Sequence, residues 1–510
     1  MAAADADTPK KAGGGGGGSA RKFQAPKGTR DFYPEDMLRK RYLVETWRAV
    51  SLRHGFEEID GPTFEHLDLY TVKSGEGIVS ELFSFRREGG EDTYALRPEF
   101  TPTLARMYAA RAAQLPKPVR WFCVPSFFRA ERPQRGRLRE FLQWNCDVIG
   151  GGGELNAEGA EHAEADGEIV GVCVGALEGM GLRPADARVR FGSRQWMESF
   201  FDRIALEESV RAAAFALLDK RGKVEPAALR EMAIRAAITN GTFLDYLCRP
   251  IEPKATRQVE LTSDQKVSIR TTGGSIEMES VVAQQERLLD RYAGEWAVFD
   301  ASIVRGLAYY TGMVFEVIAE GERAVAGGGR YDNLIELLGG PPTPAVGFAM
   351  GDVVLGNLLE DKGLMPRGAE LAGAVEAVVR SQRIRPEVLV TGNGDEAVTP
   401  MVTPLVARLR RGIEAEGFAG KPWELAARYD GAGNGVRPVH VRTSTKNPKR
   451  LNKVLEDAEK QGARYAAIIH GEDKVQVRDM DRREDVRADL HVDPASGDRY
   501  VGRVLAGLLG

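Results

Sequence analysis

The sequence predicts a multidomain protein of mixed α+β and α/β class, with a helix-flanked antiparallel sheet followed by a smaller α/β domain. Three observations lead to this prediction. A chain of 510 residues is too long for a single hydrophobic core. Up to about residue 350, extended runs alternate with helical stripes without the regular strand–helix–strand order of a parallel sheet. That order begins only after Arg385-Pro386, where a separate α/β domain is expected.

Composition places the chain among ordinary globular proteins, with 43% hydrophobic and 28% charged residues. No apolar run approaches the length of about 20 residues that spans a membrane, and no secretory signal is recognisable, so a cytoplasmic location is expected. The net charge of −4 gives no support to nucleic-acid binding through a basic surface overall, so any RNA contact requires local basic patches. Without C-x-x-C spacing or histidine neighbours, the cysteines are expected to be buried thiols: Cys123, Cys146, Cys173 and Cys248.

Shifts in composition and periodicity divide the chain into segments. Residues 1–22 contain a glycine run and little apolar character, which predicts a disordered tail. The first domain is expected over 23–370, with a helix-prone insertion at about 195–295 that carries no recognisable chemistry. The pattern loosens at 371–385, the expected linker, and 386–510 should form the α/β domain.

The first elements of the large domain are a helix and an extended segment. Leu43, Trp47 and Val50 recur at helical spacing and predict a buried stripe. The segment Phe56–Glu65 then looks extended, but Pro62 lacks the amide donor that a central strand needs. This segment should therefore lie at a sheet edge or at an interface.

The clearest strand pattern lies between Trp121 and Ile149, where two extended runs flank an arginine-rich stretch. In the second run apolar and polar residues alternate, so one face should meet the core. The polar face should meet a ligand or, in the simpler alternative, solvent. The apolar positions are Leu142, Trp144, Cys146 and Val148, and the polar positions are Gln143, Asn145 and Asp147.

Extended patterning returns at Ser302–Ile318 and, after a glycine-rich run, at Ala345–Met350. The second of these leads into a helix that Asp352 could cap, with leucines on one face. In the second domain, strands are predicted at 388–390, 439–442 and 465–469, and helices at 401–412 and 451–460.

Sequence motifs exclude several kinds of active site. There is no phosphate-binding P-loop, no dinucleotide-binding glycine turn and no G-x-S-x-G elbow. What remains is arginine grouped with acidic residues and tyrosines. Each group alone could be a surface salt bridge, but several together predict a phosphate site, because the arginine fork matches phosphate oxygens. The groups are Leu96–Thr101, Phe127–Arg132 and Arg305–Tyr310.

Six segments, taken in order, resemble the histidyl-tRNA synthetase family. The similarity covers roughly Lys27 to Met350 and continues more weakly from Pro386. It implies a class II synthetase sheet with a C-terminal anticodon-binding-like domain, in a homodimer with Phe56–Glu65 at its interface. It also implies histidine activation by ATP with Mg²⁺, followed by transfer to tRNA(His). The segments are Gly28–Phe32, Leu96–Glu99, Phe128–Gln134, Gly136–Phe141, Arg305–Gly312 and Gly328–Asp332.

The same resemblance implies roles for the ATP site. Arg305 would be the catalytic arginine at the α-phosphate, where negative charge builds up during the reaction. Arg129 would grip the α-phosphate and the histidine carboxylate, Glu131 the adenine edge, and Arg137 the distal phosphates. No metal ligand can be named from the sequence.

The resemblance also implies a histidine pocket. Glu99, Thr101 and Gln143 would hold the amino group, and Asp147 and Tyr310 the imidazole. An imidazole needs both a donor and an acceptor, and a site built that way can reject analogues lacking the ring nitrogens by about 10⁴ or more. Two more tyrosines complete the expected set, with Tyr331 closing the pocket beside Tyr309.

Two departures from the family pattern leave alternatives open. Val354 stands where an arginine for the γ-phosphate is usual, and Ala308 where an aspartate is usual; Arg137 is expected to take over part of the missing arginine's role. A non-catalytic paralogue, the regulatory subunit of ATP phosphoribosyltransferase, is the main alternative, and a non-catalytic nucleic-acid-binding protein a more remote one. The second domain, with its basic segment Lys446–Arg450, and the retained arginines favour the synthetase.

Overall fold

The fold was analysed in a computed structural model. It describes residues 23–74, 81–150, 160–221, 224–248, 268–271, 274–304, 309–411, 438–444, 449–471 and 474–486. The expected tail 1–22, Arg305, Ala308 and most of the basic segment Lys446–Arg450 lie outside these ranges.

Helices and strands of the first domain begin at Pro34. The first half contains α1 (Pro34–Arg53), β1 (Glu57–Glu58), β2 (Phe64–His66), α2 (Leu67–Ser74), β3 (Ser84–Arg86), β4 (Thr93–Leu96), α3 (Thr101–Ala109), β5 (Val119–Cys123), β6 (Ser126–Phe128), β7 (Glu140–Ile149), α4 (Ala160–Gly179) and β8 (Arg188–Ser193). Then follow α5 (Arg194–Arg203), α6 (Glu208–Leu218), α7 (Pro226–Arg235), α8 (Gly241–Cys248), β9 (Ser268–Thr271), β10 (Gly274–Glu277) and α9 (Met278–Ala293). A 3-10 turn at Gly294–Trp296 precedes β11 (Ala297–Phe299), β12 (Met313–Ile318), β13 (Ala326–Arg330), α10 (Leu334–Leu337), β14 (Ala345–Gly351), α11 (Asp352–Asp361) and α12 (Gly368–Ser381).

A large sheet organises this domain, in the order β1-β5-β7-β14-β13-β12-β8-β11, with β6 paired to the start of β7. The inner strands pair antiparallel, as predicted. The two outer strands, β1 and β11, pair in parallel, which the sequence did not indicate. The predicted edge position of Phe56–Glu65 is confirmed, since β1 ends the sheet and β2 ends a separate sheet of order β2-β4-β3.

The main core lies on one face of the large sheet, beneath α1, α4, α9, α11 and α12. The predicted stripe of α1 is buried there, and Trp47 stacks on Trp144 of β7 with ring centroids 6.0 Å apart. The apolar positions Trp144, Cys146 and Val148 all join this core. The polar positions of β7 therefore face the opposite side of the sheet, as the alternation predicted.

The helix-prone insertion is shorter than expected. Helices α5 to α8 form their own cluster around Phe201, Phe215 and Phe243. Helix α9 instead packs along α4, and its Leu289 and Ala293 belong to the main core. The hairpin β9–β10, which lies within the expected insertion, was not predicted.

The expected linker 371–385 is largely helical. Helix α12 covers it as far as Ser381 and packs along α1. Leu371, Ala374 and Val375 repeat at helical spacing and are buried in the main core. The sequence did not predict a helix in this linker.

The second domain confirms the predicted alternation of strands and helices. Its sheet has the order β16-β15-β17-β18-β19, with the first three strands parallel and the last two added antiparallel. No helix of the described residues is long and apolar enough to cross a membrane. The elements are β15 (Val388–Gly392), α13 (Thr399–Arg411), β16 (Val441–Thr443), α14 (Leu451–Lys460), β17 (Tyr465–Gly471), β18 (Lys474–Asp479) and β19 (Glu484–Val486).

A buried ion-pair cluster joins the two domains. Glu168 of α4 accepts hydrogen bonds from Arg120 of β5 at 3.0 Å and from Arg410 of α13 at 3.0 Å. Burial alone would raise the pKa of Glu168, but the two arginines outweigh burial and hold this pKa below its ordinary value. Its contribution to stability is therefore present above the unfolded pKa and is lost as pH falls through the folded value.

Replacing this carboxylate should destabilise the protein. Glu168→Gln leaves the buried guanidinium of Arg410 and the partly buried one of Arg120 without their counter-charge. The free energy of unfolding should fall by about 3 kcal/mol at neutral pH. Urea denaturation measures the change. Glu376→Gln, which removes an exposed helical ion pair to Arg380, is the matched control and should cost less than about 0.5 kcal/mol. Equal losses in the two variants would contradict the assigned role of Glu168.

Candidate active site

The polar face of β7 opens onto a cavity between the large sheet and the start of α3. Gln143, Asn145 and Asp147 line it. The structure brings together in this cavity all eight residues that the resemblance assigned to histidine, whereas Asn145 is an additional lining residue. The other lining residues are Glu99, Thr101, Arg129, Tyr309, Tyr310, Gly327, Tyr331, Gly347, Phe348 and Ala349.

At one end of the cavity lies a buried carboxyl group. The Tyr331 hydroxyl donates a hydrogen bond of 2.5 Å to Oδ1 of Asp147, whose residue is 5% exposed. Burial raises the pKa of Asp147 to about 7, although the Tyr331 hydrogen bond lowers it in part. A carboxyl group that titrates near neutral pH in an enclosed pocket can accept a hydrogen bond from a ring N–H.

The neighbouring strand leaves room for this carboxyl group. Gly347 of β14 lies opposite Asp147 in the ladder, and a Cβ added to this glycine would fall 1.9 Å from Oδ1. Such a contact is far inside van der Waals distance, so only glycine allows Asp147 to keep its position. Sequence reasoning missed this requirement, because the two residues are 200 positions apart along the chain.

At the other end a second carboxylate meets the adjacent tyrosine. The Tyr309 hydroxyl donates to Oε2 of Glu99 at 2.9 Å. Two residues after Glu99, Thr101 begins α3. The rings of Tyr309 and Tyr331 contact edge-to-face at 6.1 Å. The cavity thus carries acidic groups at two ends and an aromatic wall between them.

Arg129 supplies the positive charge of the cavity. Its Nε donates to the carbonyl of Pro98 at 3.0 Å, and its guanidinium lies 5.2 Å from the ring centroid of Phe141. These contacts fix a fork of donors whose geometry matches carboxylate or phosphate oxygens. The sequence placed Arg129 and Glu131 on one strand face, but β6 ends at Phe128, so both residues follow the strand.

Two further predicted ATP residues, Glu131 and Arg137, contact each other, whereas Arg305 lies outside the described residues. Arg137 and Glu131 form an ion pair, and Nε of Arg139 donates to the Glu131 carbonyl at 3.1 Å. Both lie in the loop between β6 and β7, whose turn contains Gly136 with a φ of 74°. Neither lines the cavity that holds the predicted histidine residues.

Asp352 does not cap α11 as the sequence suggested. Gly351 is the N-cap, and Asp352 is the first helical residue, without a capping bond. Its carboxylate instead accepts from Arg30 at 2.6 Å and from the Leu142 amide at 2.9 Å. This pair connects the segment before α1 to β7 and α11, a long-range contact that no local pattern could reveal.

Arg97 also has a structural role. It is 5% exposed and donates to the carbonyls of Ser126 and Gly61 at 2.8 and 2.9 Å. It also contacts Asp60 at 3.1 Å. Within the first of the three arginine groups, Arg97 is therefore bound by acceptors of the protein itself.

Most of the first domain matches a known protein family. A family model described as histidyl-tRNA synthetase matches residues 28–352. The chain belongs to the histidyl-tRNA synthetase family. The matched range includes α1, both cavity carboxylates and the start of α11.

Individual relatives cover more of the chain. The histidine–tRNA ligase of Opitutus terrae is 37% identical over 68% of this chain and 76% of its own length. That of Thermococcus kodakarensis is 32% identical over 89% of this chain and 93% of its own length, which includes much of the second domain. The solved histidyl-tRNA synthetase from Nostoc sp. PCC 7120 shares the fold, with a TM-score of 0.52 at 19% identity over 95% of this chain and 99% of its own.

The buried carboxyl group should make stability depend on pH. Because the folded pKa of Asp147, about 7, lies above its unfolded value, the stabilising contribution of the protonated form is lost as pH rises through 7. Asp147→Asn stays neutral, so it should become more stable than the wild type above this pH, by a difference on the order of 4 kcal/mol. Denaturation at about pH 4 and about pH 8 measures this, because the loss runs from the unfolded pKa of 3.8 to the folded value of about 7. Asp68→Asn, at an exposed position, is the control, and parallel profiles for wild type and Asp147→Asn would contradict the assignment.

Proposed function

We propose that the protein is a histidine–tRNA ligase. It activates L-histidine with ATP to histidyl-adenylate, releases pyrophosphate and transfers the histidyl group to the 3′ end of tRNA(His). The observation that carries the proposal is the cavity with Asp147–Tyr331 at one end and Glu99–Tyr309 at the other, in a chain of this family.

Histidine fits the two ends of this cavity. Asp147 accepts a hydrogen bond from an imidazole N–H, and Tyr310 and Tyr331 contact the ring from the sides. Glu99, Thr101 and Gln143 surround the α-ammonium group, for which an anionic partner is the natural choice. Asn145 lies between the ends of the strand and adds a further amide to the wall.

Activation requires a histidine carboxylate oxygen to attack the α-phosphorus of ATP while the bond to the pyrophosphate oxygen breaks. Negative charge gathers on the phosphoryl oxygens, and fixed guanidinium donors lower its energy. Arg129, held by Pro98 and Phe141, is one such donor, and Arg305 is proposed as the second. The step is electrostatic and needs no general base, because the attacking carboxylate is already ionised.

Bound ATP would replace the contact that two residues of the loop between β6 and β7 make with each other. In the structure Glu131 and Arg137 neutralise each other. A bound nucleotide offers phosphates to Arg137 and the adenine edge to Glu131, so the ion pair keeps both charges satisfied until ATP arrives. Magnesium would arrive with the ATP phosphates; among the described residues, no group of three histidine, cysteine or acidic side chains could hold a metal ion.

The proposal extends to partners and location. Phe64 and Phe85 are 48% and 43% exposed, and their rings contact that of Tyr94 on the sheet β2-β4-β3, edge-to-face and tilted respectively. This aromatic surface suits a homodimer interface. The second domain would contact the tRNA, with Lys449 and Arg450 at the start of α14. A cytoplasmic location agrees with the four cysteines, which are all free thiols.

The regulatory-subunit alternative is not favoured. A solved chain from Bacillus halodurans described as an ATP phosphoribosyltransferase regulatory subunit/histidyl-tRNA synthetase shares the fold, with a TM-score of 0.50 at 21% identity over 72% of this chain and 86% of its own. Fold alone therefore does not separate the two functions. The ligase of Thermococcus kodakarensis aligns over both domains, which supports the synthetase.

Amino-acid-dependent ATP–pyrophosphate exchange tests the proposal directly. With each of the twenty amino acids in turn, exchange is expected for histidine alone. Arg129→Ala should lower the exchange rate by about 10² to 10³, since it removes one fixed donor to the developing charge. Tight binding of histidine without exchange would instead assign the protein to the regulatory class.

A second test addresses the imidazole end. Tyr331→Phe removes the hydrogen bond that lowers the pKa of Asp147, so this pKa should rise above about 7. Imidazole binding uses the ionised carboxylate of Asp147. The ratio of the histidine KM of Tyr331→Phe to that of the wild type should therefore increase as pH falls. The ratio should approach a constant at alkaline pH. Tyr246→Phe, whose hydroxyl bonds to the Ala301 carbonyl, is the control, and a pH-independent ratio for Tyr331→Phe would refute the assignment.

A further inference from the structure

The loop between β6 and β7 packs against the turn that connects β12 to β13. A Cβ added to Gly136 would lie 3.4 Å from Cδ of Arg323 and 3.2 Å from Cγ2 of Val354. The stem of Arg323 and the side chain of Val354 therefore both lie close to the turn at Gly136, whose φ of 74° favours glycine. Val354 is apolar, is 7% exposed and belongs to the main core, so α11 provides no charged side chain at this position.

An ion-pair network holds this arrangement. Arg135, next to Gly136, donates to Glu322 at 2.7 Å and to Asp361 at the end of α11 at 2.6 Å. The Glu322 side chain is only 10% exposed, so the turn before Arg323 is anchored to the loop between β6 and β7. Arg323 is thus positioned by its neighbour in sequence and by its contact with Gly136.

The charges around Arg323 point to an anionic ligand. Partial burial lowers the pKa of Arg323, and the charge of Arg137 lowers it further, against the opposing effect of Glu131. Two guanidinium groups thus share one carboxylate, and this carboxylate is already paired with Arg137. Like charges held together in this way are unfavourable unless a ligand compensates them.

We propose that Arg323 binds the β- and γ-phosphates of ATP together with Arg137, from the opposite side of the turn at Gly136. The inference rests on the proposed function for the identity of the nucleotide. Arg323 would supply, from the β12–β13 turn, the positive charge that Val354 of α11 cannot supply. When Glu131 contacts the adenine edge, Arg137 and Arg323 both face the phosphates. The Glu131 carboxylate then no longer competes with the phosphates for Arg137.

Equilibrium binding of ATP and of AMP, measured without histidine, tests the proposal. Arg323→Ala should raise the Kd for ATP by at least about tenfold, the effect of losing one charge-assisted contact, and leave the Kd for AMP unchanged. AMP lacks the β- and γ-phosphates but keeps the adenine, ribose and α-phosphate. Arg380→Ala, at an exposed position of α12, is the matched control and should change neither constant.

The outcomes separate this inference from the proposed function. An unchanged Kd for ATP, or equal weakening of ATP and AMP, would overturn the role of Arg323. Histidine-dependent exchange by the wild type is scored independently. If ATP binding depends on Arg323 but the wild type catalyses no exchange, the inference stands and the proposed function fails. Glu322→Gln, which loosens the anchor without removing Arg323, should also weaken ATP and spare AMP, by less than Arg323→Ala.

Discussion

The burial of one carboxyl group, Asp147, sets the constraint on which the candidate site depends. Asp147 is only 5% exposed, and this burial makes its charged form costly. The structure offsets part of this cost with the Tyr331 hydroxyl and leaves space for the oxygen by placing glycine at position 347. A ligand with a ring N–H, above all a protonated ring, would offset the rest.

The elements that hold Asp147 also reach the second domain. Tyr331 follows Arg330, whose guanidinium pairs with Asp166 of α4 at 2.6 Å, with both side chains 7% exposed. Two residues further along α4, Glu168 contacts Arg410 of the second domain. The same helix therefore fixes the strand end that carries Tyr331 and the position of α13. This continuity shows physical connection, and coupling between the sites would need two distinct states of α4.

Local patterns in the sequence were sufficient for elements whose burial repeats along one chain segment. The alternation in β7 and the stripe of α1 follow directly from core packing, and both appear as predicted. The parallel pairing of β1 and β11 could not be derived, because strand direction at an edge depends on which distant strand is adjacent. The roles of Gly347 and Asp352 could not be derived for a similar reason, since the residue that each one affects lies more than 190 positions away.

The arginine residues show most clearly what could not be predicted from the sequence. Arg97, Arg330 and Arg410 are buried, and their donors are used by carbonyls and carboxylates of the protein itself. Arg129 and Arg323 instead lie beside the cavity or the loop between β6 and β7, where charge is only partly balanced by the protein. In a one-dimensional sequence the two kinds look alike, because the acceptors that distinguish them come from other elements. A chain with a net charge of −4 can still build a polyanion site, because what matters is which guanidinium groups the fold leaves without a full set of internal acceptors.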